Sequence, residues 1–349
     1  MIRGTSRKAG NACICAERIQ AFSNGRLRDF KRMALRFSTL ASGSKGNCSV
    51  VELDDKYLMI DIGLSAKSLK GRLSQIGLSI KNVTDVLLTH THGDHVNDTA
   101  LSLLAEQGIW FWCHAEHQEY LAQRPGFQSL KSSGLVLAYD ERKFQTISGL
   151  TIYPAALRHG PEKTFGFRIE HTWKVANERS AIAYFADIGC WNRATVDHFA
   201  NCNLLAMEFN HDVKMTLASP RHPSVIKRNL SDDGHLSNDQ AAGLLQQILN
   251  ASMMCKPKSL VLLHISDQCN THEMAVNAAT RVLSHSGLEY IPIHPAEQSQ
   301  AGGWLEVPSV TNVCADTCTE ISTQSLPVVK SVRKKNKVSP FQQEFFFPV

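Results

Sequence analysis

Thr89-His90-Thr91-His92-Gly93-Asp94-His95 follows directly on the apolar run Val86-Leu87-Leu88. Three histidines and one aspartate fall within six residues, and imidazole and carboxylate are the ligands that suit zinc-like divalent ions. The run Thr84–Thr89 reads as a buried strand, so the cluster belongs at one rim of a sheet. His90 and His92, two residues apart, project from the same side of an extended segment. Gly93 lets the chain turn, so Asp94 and His95 can face a second point in space. The spacing predicts two metal ions, one per pair, rather than a solvated polar loop.

Two ions need more ligands than this cluster supplies, and three further residues stand where strands should end. His159 follows Thr151–Ala156, Asp187 follows Ala181–Ala186, and His264 follows Val261–Leu263. A single strand-end histidine is more often structural than a ligand. Three such positions in order beside an established cluster point to a set. The expected first site is His90, His92 and His159, and the second is Asp94, His95 and His264. Asp187 is expected to bridge, because a carboxylate has two oxygens.

From Met33 onward, strands and helices alternate. Strands are expected at Leu35–Leu40, Cys48–Leu53, Tyr57–Ile60, Ile109–Cys113, Leu150–Ala155, Thr164–Glu170, Ala181–Phe185, Leu204–Glu208 and Leu260–Leu263. Helices are expected after Ser65, from an Asp98 cap to Gln107, and over Asn192–Phe199, Ser237–Ala251 and His272–Ser284. The pattern suggests a mixed sheet sandwich covered by helices, an α/β (α+β) chain, in a catalytic domain over residues 33–308.

Composition bounds the rest. No apolar run approaches the roughly 18 residues that a membrane helix needs. The ten cysteines are scattered, and neither Cys13-x-Cys15 nor Cys314-x-x-x-Cys318 has a matching second half, so no zinc finger is expected. Such usage fits a reducing cytoplasm better than a secreted scaffold. The net charge of +5 is unevenly placed. Residues 1–32 hold eight Lys/Arg against two acids and residues 309–349 five against three, leaving the segment between at −3. The basic pI is therefore no evidence that the core binds nucleic acid. Residues 1–32 are read as a disordered extension before a start at Met33, with a transit peptide as the alternative. Residues 309–349 read as a flexible tail. It ends in Phe341-Gln342-Gln343-Glu344-Phe345-Phe346-Phe347, either an element that docks on the core or a peptide for a protein partner (residues 341–349).

His90-x-His92-x-Asp94-His95 with His159, Asp187 and His264 resembles the metallo-β-lactamase superfamily. That resemblance implies an αββα sandwich, two mixed β-sheets flanked by helices, with a two-metal site on one edge. Four further segments resemble the YycJ/WalJ-like branch: Ser42-Gly43-Ser44-Lys45-Gly46-Asn47, Glu208-Phe209-Asn210-His211-Asp212, Gly234-His235-Leu236-Ser237-Asn238 and Leu263-His264-Ile265-Ser266. The branch implies 5′→3′ exonuclease activity on DNA. The chain departs from it at Ile188-Gly189, where the branch has Thr-Gly, and at Asp267-Gln268-Cys269-Asn270, where it often has Glu-Glu-Asn-Asn.

The expected chemistry uses two divalent ions, Zn²⁺ or Mn²⁺, to generate hydroxide near neutral pH for attack on a phosphodiester. His235 and Asp94 are the expected catalytic residues. His235 stands at a loop-to-helix junction before the capping-like Ser237, and by similarity to the ribonuclease Z branch it protonates the leaving oxygen. The amides of Leu236 to Asn238 are expected near a phosphate. Glu208 is expected to hold a ligand histidine by its free N–H. His211 either meets substrate or orients a ligand. Lys214, Arg221, Lys227 and Arg228 lie in an acid-free stretch, either a phosphate track or a solvated loop. Expected substrate contacts are thus Ser44, Asn47, His211, Ser237, Asn238, Lys227 and Arg228. A small-molecule hydrolase acting on a cyclic phosphodiester, thioester or lactone is the alternative, since the same ligands serve both.

Overall fold

The computed structural model describes residues 35–311. The expectations for residues 1–32, for Met33 as the start and for the Phe341–Phe347 segment lie outside them.

The chain begins with β1 (Leu35–Ala41), β2 (Cys48–Leu53) and β3 (Lys56–Ile60), an antiparallel run whose last turn places Asp54 and Asp55 at positive φ. Ser65 Oγ accepts from the Ser68 amide and caps α1 (Ala66–Gln75), which leads to β4 (Val83–Leu87), parallel to β3. In α2 (Asp98–Gln107) the cap is Asn97, which accepts from the Thr99 amide; Asp98, expected as the cap, is the first helical residue. Its charge still favours the positive helix end. After β5 (Trp110–His114), α3 (His117–Leu121) and α4 (Pro125–Ser132), β6 (Val136–Tyr139) completes the parallel part of the first sheet.

The second sheet repeats this plan. An antiparallel meander of β7 (Phe144–Gln145), β8 (Thr151–Leu157), β9 (Thr164–Trp173) and β10 (Glu178–Phe185) comes first. Then follow α5 (Arg193–Phe199), β11 (Leu204–Glu208), α6 (Val213–Ala218), α7 (Pro223–Asn229), α8 (Asn238–Ala251), β12 (Ser259–Leu263), α9 (His272–His285) and β13 (Ile293–Pro295), with these later strands parallel to β10. β14 (Leu305–Val307) returns to the first sheet beside β1. β15 (Val310–Thr311) pairs with Glu178 and Arg179 of β10, so the folded body continues past the 308/309 boundary expected from composition.

Each sheet is mixed, in the orders β14-β1-β2-β3-β4-β5-β6 and β13-β12-β11-β10-β9-β8-β7. Side chains alternate across them, as the two-residue period requires. Val51, Leu58, Ile60 and Leu87 face Ile152, Phe167, Tyr184, Ala206 and Leu263 between the sheets. Val50, Met59 and Val86 point the other way, against Leu69, Leu73, Leu101 and Leu104 of α1 and α2. Ala183, Leu205 and Leu262 likewise meet Leu244, Leu245 and Ala278 of α8 and α9. The packing makes four layers, αββα. Central parallel strands buried on both faces read as unbroken apolar runs, which is why Val86-Leu87-Leu88 and Leu260–Leu263 lack alternation. Each fully buried Leu, Ile or Phe contributes about 1.5–3 kcal/mol. Among the described residues no helix is long and apolar enough to cross a membrane.

Candidate metal centre and active site

The parallel strands deliver their carboxyl ends to one rim. Asp61 follows β3, the histidine cluster follows β4, Asp187 follows β10, Glu208 ends β11 and His264 follows β12. His159 follows β8, which runs the same way as β10. The Phe165 amide donates to the Thr89 carbonyl at 3.1 Å and joins the two sheets at this rim.

The seven expected ligands converge. His90, His92 and His159 can point one nitrogen each at a common centre, and a carboxylate oxygen of Asp94 with one nitrogen each of His95 and His264 can do so at another. His90 Nε2 is 2.9 Å from His92 Nδ1. Asp187 lies between the groups, with Oδ2 2.8 Å from His95 Nε2 and Oδ1 3.7 Å from His159 Nε2 and 3.3 Å from His264 Nδ1.

Partners behind the ligands fix their orientation. His159 Nδ1 donates to the Gly234 carbonyl at 2.6 Å, which leaves Nε2 as the uncommitted nitrogen. His95 Nδ1 donates to Asp61 Oδ2 at 2.7 Å. Asp61 also accepts from the Thr89 amide and hydroxyl. Sequence reasoning missed Asp61; its signal is a carboxylate and Gly63 closing the apolar run Tyr57–Ile60, the same strand-end logic that found Asp187. Glu208, completely buried, accepts from His235 Nδ1 at 2.7 Å and the Leu236 amide at 2.9 Å, and lies 3.3 Å from His264 Nδ1.

Backbone geometry keeps these partners in register. His264 sits in the left-handed region at φ 54°, which is unfavourable for a non-glycine residue. Ser42 Oγ accepts its amide and Asn210 Nδ2 donates to its carbonyl, both at 2.8 Å. Gly63 is required by close approach: a Cβ there would lie 1.7 Å from the Asp94 carbonyl oxygen.

The electrostatics divide the ligands into two sets. Burial lowers the His90 and His92 imidazoles below their ordinary value and pushes His159 down to about 4, so all three present neutral lone pairs. Burial also disfavours charge on His95 and His264. The surrounding carboxylates outweigh it, holding His95 well above its ordinary value and His264 up to about 10. Burial opposes charge on Asp94 too, yet the His95 and His264 imidazoles hold that carboxyl down to about 2.

This donor set fits divalent cations. Asp187 Oδ2 is buried without a hydrogen-bond donor, and buried carboxylate oxygens otherwise find one. It faces the side of His95 whose opposite nitrogen is already committed to Asp61. A cation between the two would satisfy both.

The expected substrate contacts divide. Asn47 is buried and braces the centre: Nδ2 lies 3.0 Å from His95 Nε2 and donates to Gly43 O, and Oδ1 accepts from the Gly43 amide. The Ser42–Asn47 loop thus packs against the proposed ligands, and Ser44 lies exposed at its tip. Ser237 and Asn238 are buried. Ser237 caps α8 through the Gln240 amide, and Asn238 pairs with the Asn270 side chain. The amides expected to meet a phosphate are also engaged: Leu236 N with Glu208, Ser237 N with Gln240 Oε1 and Asn238 N with His211 O. These contacts hold the start of α8. Lys227 and Arg228 are exposed on α7. His211 is 2% exposed and neither ring nitrogen has a hydrogen-bond partner.

His235 stands half-buried above the centre, its ring centroid 4.7 Å from His159 and 5.0 Å from His264. With Nδ1 given to Glu208, Nε2 is the nitrogen left for proton exchange.

A four-layer αββα body whose strand ends gather five histidines and two aspartates is the architecture of a metallo-hydrolase. The Beta-lactamase superfamily domain matches residues 58–265, and the chain belongs to that superfamily. It is 28% identical over 269 residues to exodeoxyribonuclease YycJ of Bacillus anthracis, covering 76% of this chain and 96% of that one. Exodeoxyribonuclease WalJ of Streptococcus pneumoniae serotype 2 is 24% identical over 268 residues, covering 73% and 91%. The metallo-β-lactamase fold protein YhfI of Bacillus subtilis shares the fold with a TM-score of 0.55 at 16% identity, over 77% of this chain and 99% of that one.

Proposed function

We propose that the protein is a phosphodiesterase using two divalent metal ions, Zn²⁺ or Mn²⁺, and that it acts as a 5′→3′ exodeoxyribonuclease in the cytoplasm. The observation that carries this reading is His235 held by Glu208 beside the two ligand groups. A thioesterase expels a thiolate and needs no such proton donor, whereas an alkoxide leaving from phosphorus does. The two relatives named as exodeoxyribonucleases support DNA as substrate. The 5′→3′ direction rests on the resemblance to their branch.

His90, His92 and His159 would hold one ion, Asp94, His95 and His264 the other, with Asp187 between them. When bound, the ions supply Lewis acidity and an activated water near neutral pH. The chain's own residues do the rest. Asp61 and Gly234 fix the tautomers of His95 and His159. Glu208 orients His235 so that Nε2 delivers a proton to the leaving sugar oxygen. Lys227 and Arg228 neutralise backbone phosphates; Arg228 reaches toward the centre, its Nη2 3.7 Å from where a Cβ on Gly160 would lie, next to His159. Neutral His211, pushed down to about 4 by burial, lies behind the centre with both ring nitrogens unpartnered.

The test is turnover of end-labelled single- and double-stranded DNA, RNA, bis-p-nitrophenyl phosphate and a thioester, with Mn²⁺ and Zn²⁺ in parallel. Stepwise loss of nucleotides from the 5′ end is expected. Thioester hydrolysis with intact oligonucleotides would replace this reading with the small-molecule one.

A further inference from the structure

The segment between His211 and His235 is unlike the other helices of the body. Helix α6 buries only Thr216, and α7 buries no residue, whereas the following α8 buries six, Asn238, Ala241, Leu244, Leu245, Ile248 and Leu249. Three apolar residues of the pair stay in solvent: Leu217 is 61% exposed, Val225 43% and Val213 39%, while Met215 and Ile226 are half-buried. Val213 and Leu217, one turn apart, share a face of α6. No acid occurs from Val213 to Ser231, while Lys214, Arg221, Lys227 and Arg228 do.

This arm is fastened at the site. Its first end follows buried His211, and the Asp212 amide donates to the Cys269 carbonyl at 2.7 Å. In its middle, Arg221 Nε donates to Gln268 Oε1 at 3.1 Å. Its last end packs on the catalytic loop, where the His235 amide donates to the Asn229 carbonyl at 3.2 Å. Exposed aliphatic groups among cations, on a support tied to both sides of the centre, match one kind of ligand. An unpaired nucleic-acid strand offers phosphates on one edge and free base faces on the other, whereas a duplex hides its base faces.

We propose that the α6–α7 arm is a clamp for a single nucleic-acid strand, in which Leu217 and Val225 take base faces while Lys214, Lys227 and Arg228 take phosphates. The proposal rests on the phosphodiesterase reading and specifies its substrate: the strand enters the centre unpaired. It also gives the arm's aliphatic residues a role that a plain phosphate track does not.

The test is binding of the full-length, metal-loaded protein to three probes with phosphorothioate linkages: a single strand, the same strand lacking its bases, and a blunt duplex. The wild type is expected to bind the based strand roughly tenfold tighter than the abasic one. Leu217→Ser with Val225→Ser should erase that difference. Lys227→Glu with Arg228→Glu should weaken both single strands alike and keep the difference. Melting temperatures confirm folding of these surface variants. The clamp is overturned if the wild type shows no base dependence, if the Leu217/Val225 variant retains it, or if the duplex binds best. It is equally overturned if Leu217→Ser instead abolishes self-association, which would make the arm a contact between copies. Failure to bind any of the probes would remove the nucleic-acid reading itself, an outcome distinct from binding without base dependence.

Discussion

Glu208 Oε1 accepts from His235 Nδ1 at 2.7 Å, and the same oxygen lies 3.3 Å from His264 Nδ1. One buried carboxylate thus orients both the proposed proton donor and a proposed metal ligand. Removal of the donor and removal of its orienting group should therefore have different signatures.

His235→Ala should keep both metal ions and lose about 10²–10⁴-fold in turnover of an oligonucleotide. A substrate whose leaving group is p-nitrophenolate needs less protonation and should lose far less. Glu208→Gln should lower turnover and also metal affinity, the latter by about 10–100-fold. Metal analysis alongside single-turnover rates separates the two. Unchanged oligonucleotide turnover in His235→Ala would rule out the proton-donor role.

Asp187→Ala removes the carboxylate that faces both ligand groups. Metal content should fall from about two ions toward one or none. Retention of both ions by the folded variant would refute the bridge. Circular dichroism is the needed control, since Asp187 is buried among four histidines.

Charge reversal at Lys227 and Arg228 should weaken DNA binding and flatten its dependence on salt. Each phosphate left without its cation lowers the slope of log K against log salt by roughly 0.7 to 0.9. Titrations at several salt concentrations measure this directly. An unchanged slope would make these residues a solvated surface.

Metal uptake should depend on pH in a defined direction. His264 is raised from 6.5 to about 10 by its carboxylate neighbours. Without metal, its protonated form stabilises the fold fully below about 6.5, and that contribution is lost as pH rises through about 10. A metal requires the neutral imidazole, so affinity should strengthen with pH across the same window and binding should release protons. Calorimetry in buffers of different ionisation enthalpy reads the proton count. Chelation should lower the melting temperature more at pH 8.5 than at pH 6.5. An equal effect at both values would contradict this assignment.

Much of the site is legible in the chain's local pattern. His90, His92, Asp94 and His95 stand together in sequence, and His159, Asp187 and His264 end apolar runs, so hydrophobic periodicity announces each of them. Asp61 also ends an apolar run, but it precedes the histidine cluster and so falls outside the series of strand ends that follows it. Ser237 and Asn238 read as substrate contacts because a polar helix start looks the same whether its amides are free or engaged. Helices α6 and α7 are unmarked because neither buries an apolar stripe, and periodicity reports only burial.

Local pattern by itself pointed to a mixed sheet sandwich covered by helices and to the residues proposed as metal donors, and the motif resemblance supplied the αββα class. Glu208 is expected from the sequence behind a ligand histidine, but only the tertiary structure decided that this is His264 and that Asp61 stands behind His95. Asp61 lies 34 residues from His95, and Glu208 lies 27 from His235 and 56 from His264. Such pairings are set by the register of two packed sheets, which no local pattern encodes. Residues Thr89 to His95 therefore specify a candidate metal centre, and the packing around them specifies how each nitrogen is aimed.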